Sequence, residues 1–287
     1  MIRLRALLFA SHPGPSFAVT LITTLLAGQA GHWHSGLALV TAAMLAGQLS
    51  VGWSNDAVDA ARDRAAGRTD KPAARGEIGA RTLWLAAGCA ITLALALSAA
   101  IGPLTLLYGV LAFAAAWGYN IGAKATPWSG AMYLIAFGLL PAYAMSSAAG
   151  HPAPQPVVIA AAGLVGLGAH FANVLPDLAA DRDAGVRGLP QRIAARWGPA
   201  AVRGGALVLL LSASALLVIA ARPGRQLVPV TGLCCAAGLG LAGAFGDGRL
   251  PFRAAMGIAL VDVLVLVAGG VALSSAAPLP GVPGMAG

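Results

Sequence analysis

Nine stretches of this chain, at 16–30, 36–53, 82–101, 103–119, 128–149, 156–176, 203–221, 226–245 and 251–273, approach the length of a bilayer-spanning helix with almost no Asp, Glu, Lys or Arg inside them. A helix needs about 20 mostly apolar residues to cross the hydrocarbon core. Within that core each backbone N–H and C=O must be satisfied by the protein itself, so runs of this length fold as helices. The expected fold is all-α: a polytopic membrane protein with nine transmembrane helices. Composition agrees, since only 10% of the 287 residues are charged, against about 25% in a soluble domain that must wet its whole surface. Residues 1–273 read as one membrane domain, and the Pro/Gly-rich tail 274–287, SSAAPLPGVPGMAG, reads as disordered. The apolar run 6–10 behind Arg3 and Arg5 is shorter than a signal-peptide core of about 7 to 15 residues, so the N-terminus is expected to be retained.

A net charge of +8 does not indicate nucleic acid here, because the basic residues are confined to short segments between apolar runs. Of the 18 Lys and Arg, all but Arg222 and Arg225 fall on the N-terminus and the even-numbered connections. The positive-inside rule then places the N-terminus and those connections in the cytoplasm, the plasma-membrane cytoplasmic face in a prokaryote. Cys89, Cys234 and Cys235 lie within apolar runs, lack metal-binding spacing, and read as small buried residues.

The acidic residues are fewer and more concentrated. Of ten, five (Asp56, Asp59, Asp63, Asp70, Glu77) lie in the second connection and three (Asp177, Asp181, Asp183) in the sixth. Four helices separate the two groups, which suggests two pseudo-repeats that each contribute one acidic helix end. At 100° per residue Asp56, Asp59 and Asp63 share an arc of about 60°. Asn173, Asp177 and Asp181 form a similar stripe, with His170 on the same face and Asp183 pointing elsewhere. Like charges stacked this way repel unless a cation sits between them. Hard oxygen donors suit Mg²⁺, which takes one or two carboxylates together with water and substrate phosphate. The alternative is solvated carboxylates paired with Arg62, Arg64 and Arg182.

These residues resemble the signatures of the UbiA family of membrane-embedded prenyltransferases. Asn55, Asp56, Asp59 and Asp63 match NDxxDxxxD, and RTDKPAARGEI behind them resembles the family's basic continuation through Arg68, Lys71 and Pro72. NVLPDLAADRDAG matches the DxxxD core at Asp177 and Asp181, with Asn173 and Val174 where the longer form has an acid. WGYNIGAKATPWSG places Tyr119 and Lys124 where the family has a Tyr and a Lys facing a diphosphate. The resemblance implies nine helices around a central cavity, with Mg²⁺ held by Asp56, Asp59, Asp63, Asp177 and Asp181. It further implies a prenyl diphosphate contacted by Arg68, Lys71, Lys124 and Arg182, with Tyr119, Lys124, Asn55 and Asn173 in the catalytic set. Arg68, Lys71 and Arg182 are also explained by positive-inside topology, and Tyr119 by interfacial anchoring.

The expected activity is Mg²⁺-dependent transfer of a prenyl group from an allylic diphosphate to a small aromatic or quinone-precursor acceptor in the bilayer. The alternatives are cyclisation, transfer to a lipid or sugar acceptor, and a non-enzymatic transporter. The last is disfavoured because transporter sites lie near the midplane, whereas these acids sit at helix ends. Asp262, midway along the ninth run, reads as an interior hydrogen-bonding residue, and His170 as structural.

Overall fold

The computed structural model describes residues 2–31, 35–148 and 150–274. Most of tail 274–287 lies outside the described residues; Ser274 itself forms an antiparallel bridge with Pro154. The regular elements of the described residues are helices: α1 (Ile2–Ala10), α2 (Pro13–Gln29), α3 (Ser35–Ala65), α4 (Ala80–Ile101), α5 (Pro103–Ile121), α6 (Ser129–Ser146), α7 (Pro156–Val174), α8 (Leu178–Asp183), α9 (Leu189–Trp197), α10 (Pro199–Ile219), α11 (Leu227–Phe245) and α12 (Leu250–Val267). Nine of these are long and correspond to the nine apolar runs. Eight have the length and hydropathy to cross a membrane. The remaining one, α2, has 17 residues, at the lower end of the spanning range of about 17 to 25.

Each long helix packs against the next in sequence, and α12 closes the circle against α2. The faces turned away from the bundle carry Leu85, Leu93, Leu107, Val208, Ile219 and Leu227 in exposed positions, a surface suited to lipid tails. The cysteines are exposed as well, which corrects the expectation of burial. In a bilayer the outer face of a helix is as apolar an environment as the core, so a small apolar thiol gains nothing by facing inward.

Small residues let the helices approach closely. Gly138 of α6 and Gly163 of α7 face one another, and Ala87, Ala90 and Ala94 line the buried face of α4. Polar pairs clasp the interior. Ser98 and Tyr143 hydrogen-bond at 2.9 Å, and Ser214 donates to Asp262 Oδ1 at 2.7 Å. Asp262 is thus the interior hydrogen-bonding group expected from its sequence position. The ninth span is shorter than its apolar run. Gly269 turns the chain at φ 73°, and the following residues pair with the connections at 154–155 and 221–222 instead of continuing the helix.

The tightest approach to the acidic end is at Gly52 of α3, where an added Cβ would run into the backbone of Ser11 in the α1–α2 elbow. Trp53 Nε1 fastens the same junction by donating to the Leu7 carbonyl at 2.8 Å. Because the obstruction is backbone, it cannot swing aside. Gly52→Ala is expected to destabilise the protein by about 1 to 3 kcal/mol, read as a lower melting temperature in detergent. A wild-type melting curve would show that the elbow yields freely.

Candidate functional site

At 31 residues, α3 is longer than a bilayer requires, so its last turns extend past the apolar zone. Asp56, Asp59 and Asp63 stand on those turns, at 1%, 5% and 4% exposure. Burial of three carboxylates is sustained only if each is paired, and each is. Lys71 Nζ lies 3.1 Å from Asp56 Oδ1 and 2.8 Å from Asp63 Oδ2. His12 Nε2 lies 2.9 Å from Asp56 Oδ1. Asp59 pairs with Lys124 and, at 3.1 Å, with Arg62 one turn on. Lys71 and Arg68 reach the cluster because the segment after α3 folds back, Arg68 N donating to the Asp63 carbonyl at 3.0 Å and Arg64 to the Ala73 carbonyl at 3.2 Å.

The two lysines are in different electrostatic positions. Burial weakens the charge of both. For Lys71 the facing Asp56, Asp63 and Asp59 outweigh burial and hold its pKa above the ordinary lysine value. For Lys124, on a short 3₁₀ turn at Ala123–Ala125, burial prevails over Asp59, with Arg62 and Lys71 adding repulsion, and the pKa is lowered.

The second segment departs from its expected geometry. α7 ends at Val174, a 3₁₀ turn spans Leu175–Asp177, and α8 starts at Leu178. Pro176 has no N–H to continue the α-helical ladder, so Asn173, Asp177 and Asp181 do not form a stripe on one continuous helix. The segment still reaches the first. Arg68 Nη1 donates to Asp177 Oδ1 at 3.1 Å, while its Nε and Nη2 form a fork on Asp70 at 2.9 and 3.0 Å. The fork brings Asp70 down to about 2, chiefly through its hydrogen bonds with Arg68, and raises the Arg68 pKa further. Arg249, at the start of α12, also contacts Asp70 at 3.1 Å. Asp181 Oδ2 accepts from Gln191 Nε2 of α9 at 2.8 Å.

Not every candidate joins this cluster. Asn173, Arg182 and Asp183 are exposed, and their side chains make no hydrogen bond or ion pair among the described residues. Asn55 is half-buried beside Asp56. Tyr119 belongs to an aromatic group, edge-on to Tyr133 at 4.9 Å and to His170 at 5.3 Å. His170 is fully buried, stacks on Tyr133 at 4.5 Å, and bonds Ser129 Oγ through Nε2 at 3.1 Å.

Sequence reasoning missed His12, Gln191, Arg249 and Asn120, whose amide donates to Val51 O and Ser54 Oγ of α3 at 2.9 Å each. Asn120 sits next to Tyr119 inside a quoted motif, which was a usable signal. His12 lies 44 residues from Asp56 and no local pattern connects them.

Among the described residues no three His, Cys, Asp or Glu side chains are gathered into a metal cage; the carboxylates instead hold internal cations. The donor set nevertheless suits a hard divalent ion. Every candidate donor is a carboxylate oxygen, and the Lys71 ammonium between Asp56 and Asp63 marks a position where positive charge is stabilised by two anionic partners.

A family profile described as the UbiA prenyltransferase family matches residues 16–255. A search of curated protein sequences finds no match. Among solved structures, the apo form of a UbiA homologue from Aeropyrum pernix K1 is similar with a TM-score of 0.70 at 18% identity, covering 89% of this chain and 98% of that one. A UbiA homologue from Archaeoglobus fulgidus, bound to GPP and Mg²⁺, is similar with a TM-score of 0.70 at 18% identity, covering 92% and 98%. A structure described as digeranylgeranylglyceryl phosphate synthase in membranes has a TM-score of 0.67 at 16% identity, covering 94% and 99%. At such identities the structural likeness speaks for the fold. The profile match, in contrast, runs through both acidic segments and most of the chain. This integral membrane protein therefore belongs to the UbiA prenyltransferase family.

Proposed function

We propose that the protein transfers a prenyl group from an allylic prenyl diphosphate to a small aromatic or quinone-precursor acceptor within the membrane, in a Mg²⁺-dependent reaction. The observation that carries this reading is the junction of the two acidic segments at one end of an apolar bundle, with Arg68 bridging Asp70 and Asp177. The A. fulgidus homologue bound to GPP and Mg²⁺ supports it. Asp56, Asp59, Asp63, Asp177 and Asp181 would hold the metal. Bound there, Mg²⁺ neutralises charge that develops on the departing diphosphate.

The protein's own groups supply the rest. Lys71, Lys124 and Arg68 present cationic donors beside the same carboxylates, so a diphosphate arriving with its metal meets complementary charge. Asn55, half-buried beside Asp56, and the exposed Asn173 and Arg182 would orient or attract the polar head. Tyr119 and Tyr133, backed by the buried His170, form an aromatic wall that would tolerate an allylic cation and exclude water. The positive-inside bias supports a cytoplasmic location for this end, and the two acidic helix ends are read as equivalent positions in two pseudo-repeats.

A second reading, transfer to a lipid acceptor, is motivated by the similarity to digeranylgeranylglyceryl phosphate synthase. The deciding experiment supplies purified protein in lipid with geranylgeranyl or longer diphosphate, with and without acceptors, followed by analysis of the organic extract. Diphosphate release is expected to be slow alone and to rise with an aromatic acceptor, because attack at C1 drains the cation. Stimulation by a lipid acceptor alone would favour the second reading. A cyclic hydrocarbon or alcohol formed at turnover without acceptor would overturn transfer altogether.

A further inference from the structure

We infer that His12, in the elbow between α1 and α2, is a positioning residue for Asp56; this rests on the proposed metal-binding role of Asp56. The geometry is built from several independent parts. His12 adopts a left-handed backbone, φ 51° and ψ 64°, which L side chains rarely accept and which persists where surrounding contacts impose it. Those contacts are visible. Ser11 is fully buried, its carbonyl accepts from Ser16 Oγ at 2.7 Å, and its backbone lies against Gly52, where no Cβ fits. Trp53 clamps α1 through the Leu7 carbonyl. Gly52 is one helical turn before Asp56 on the same face of α3. The elbow that Gly52 admits is therefore the elbow that delivers the imidazole to Asp56.

The hydrogen bond has a defined sense. An ionised carboxylate only accepts, so Nε2 carries the proton and donates to Oδ1 at 2.9 Å. Lys71 also reaches Oδ1, so neither partner occupies Oδ2. A carboxylate held through one oxygen is fixed in rotation while the other stays available to a cation, and outer partners of this kind commonly set metal affinity. Lys71 is a long side chain shared with Asp63. His12 is short and its backbone is pinned, which suits it to a fixed orienting role.

The test uses Mn²⁺ as the probe, with binding to the full-length protein in detergent followed by electron paramagnetic resonance and folding by thermal melting. His12→Gly removes the donor and relieves the left-handed strain. His12→Gln keeps an N–H donor. The expected result is that His12→Gly needs about tenfold more Mn²⁺ for half-saturation at an equal or higher melting temperature, while His12→Gln stays within about threefold of wild type. A merely structural His12 would move the melting temperature rather than the affinity. Wild-type affinity in His12→Gly, with binding lost in Asp56→Ala, would overturn this inference alone. Equal weakening in His12→Gly and His12→Gln would also overturn it. Absence of Mn²⁺ binding in wild type would overturn the metal reading, and this inference with it.

Discussion

Alanine at Asp56 or at Asp177 is expected to lower prenyl-transfer turnover by at least about 100-fold, close to 3 kcal/mol of transition-state stabilisation, while the purified protein remains monodisperse. The structure separates the two cases. Asp177 is about half exposed, and Arg68 keeps its fork on Asp70 when Asp177 is removed, so Asp177→Ala should melt nearly as wild type does. Asp56 is buried and holds both His12 and Lys71. Its loss leaves Lys71 on Asp63 alone and His12 without its acceptor, which costs stability because a buried cation loses compensation. Asp56→Asn, which retains an acceptor for His12, is the cleaner substitution and should lose turnover with less thermal penalty. Asp183→Ala is the control, since Asp183 is exposed and outside the cluster; its effect should be within a few-fold. Loss at Asp183 equal to that at Asp177 would show that the second segment has been aligned wrongly. The measurement is turnover in lipid beside size-exclusion and melting profiles for each variant.

Chelation should abolish turnover completely and reversibly. Every proposed ligand is a hard oxygen, so Mg²⁺ or Mn²⁺ is expected to restore activity after EDTA. Chelation should leave the fold intact, because the buried carboxylates retain internal partners: Lys71 for Asp56 and Asp63, Lys124 and Arg62 for Asp59. The melting temperature is therefore expected to change little when activity disappears. Full turnover in metal-free buffer would sink the metal mechanism. Irreversible loss with aggregation would instead mean that the ion is needed for folding, contrary to the internal pairing.

Much of the architecture was legible along the chain because it depends on local quantities. Hydropathy integrated over a window finds the long helices, since a bilayer leaves a long apolar segment no other way to satisfy its backbone. The same signal failed where a helix ended for a local steric reason. At Pro176 the ladder breaks into a 3₁₀ turn, and the assumed stripe of Asn173, Asp177 and Asp181 assumed a period that does not continue there. The last helix stops at Val267, just before the turn at Gly269, while the sequence is still apolar. The cysteines were misplaced because burial inside a protein and burial in lipid look identical to hydropathy.

What the sequence by itself determined was the family, the set of long helices and the two groups of carboxylates, all written as composition, period or motif within a few tens of residues. Which side chains face those carboxylates was decided only by the tertiary structure. His12 meets Asp56 across 44 positions, Lys124 meets Asp59 across 65, and Arg68 meets Asp177 across 109. No local preference encodes such pairings. They follow from how closely α3 approaches α1 and α5, helped by small residues such as Gly52, and from the segment after α3 that carries Arg68 to the turn after α7. A buried charge takes whichever partner that packing brings within reach, since leaving it unpaired is far costlier than any local alternative.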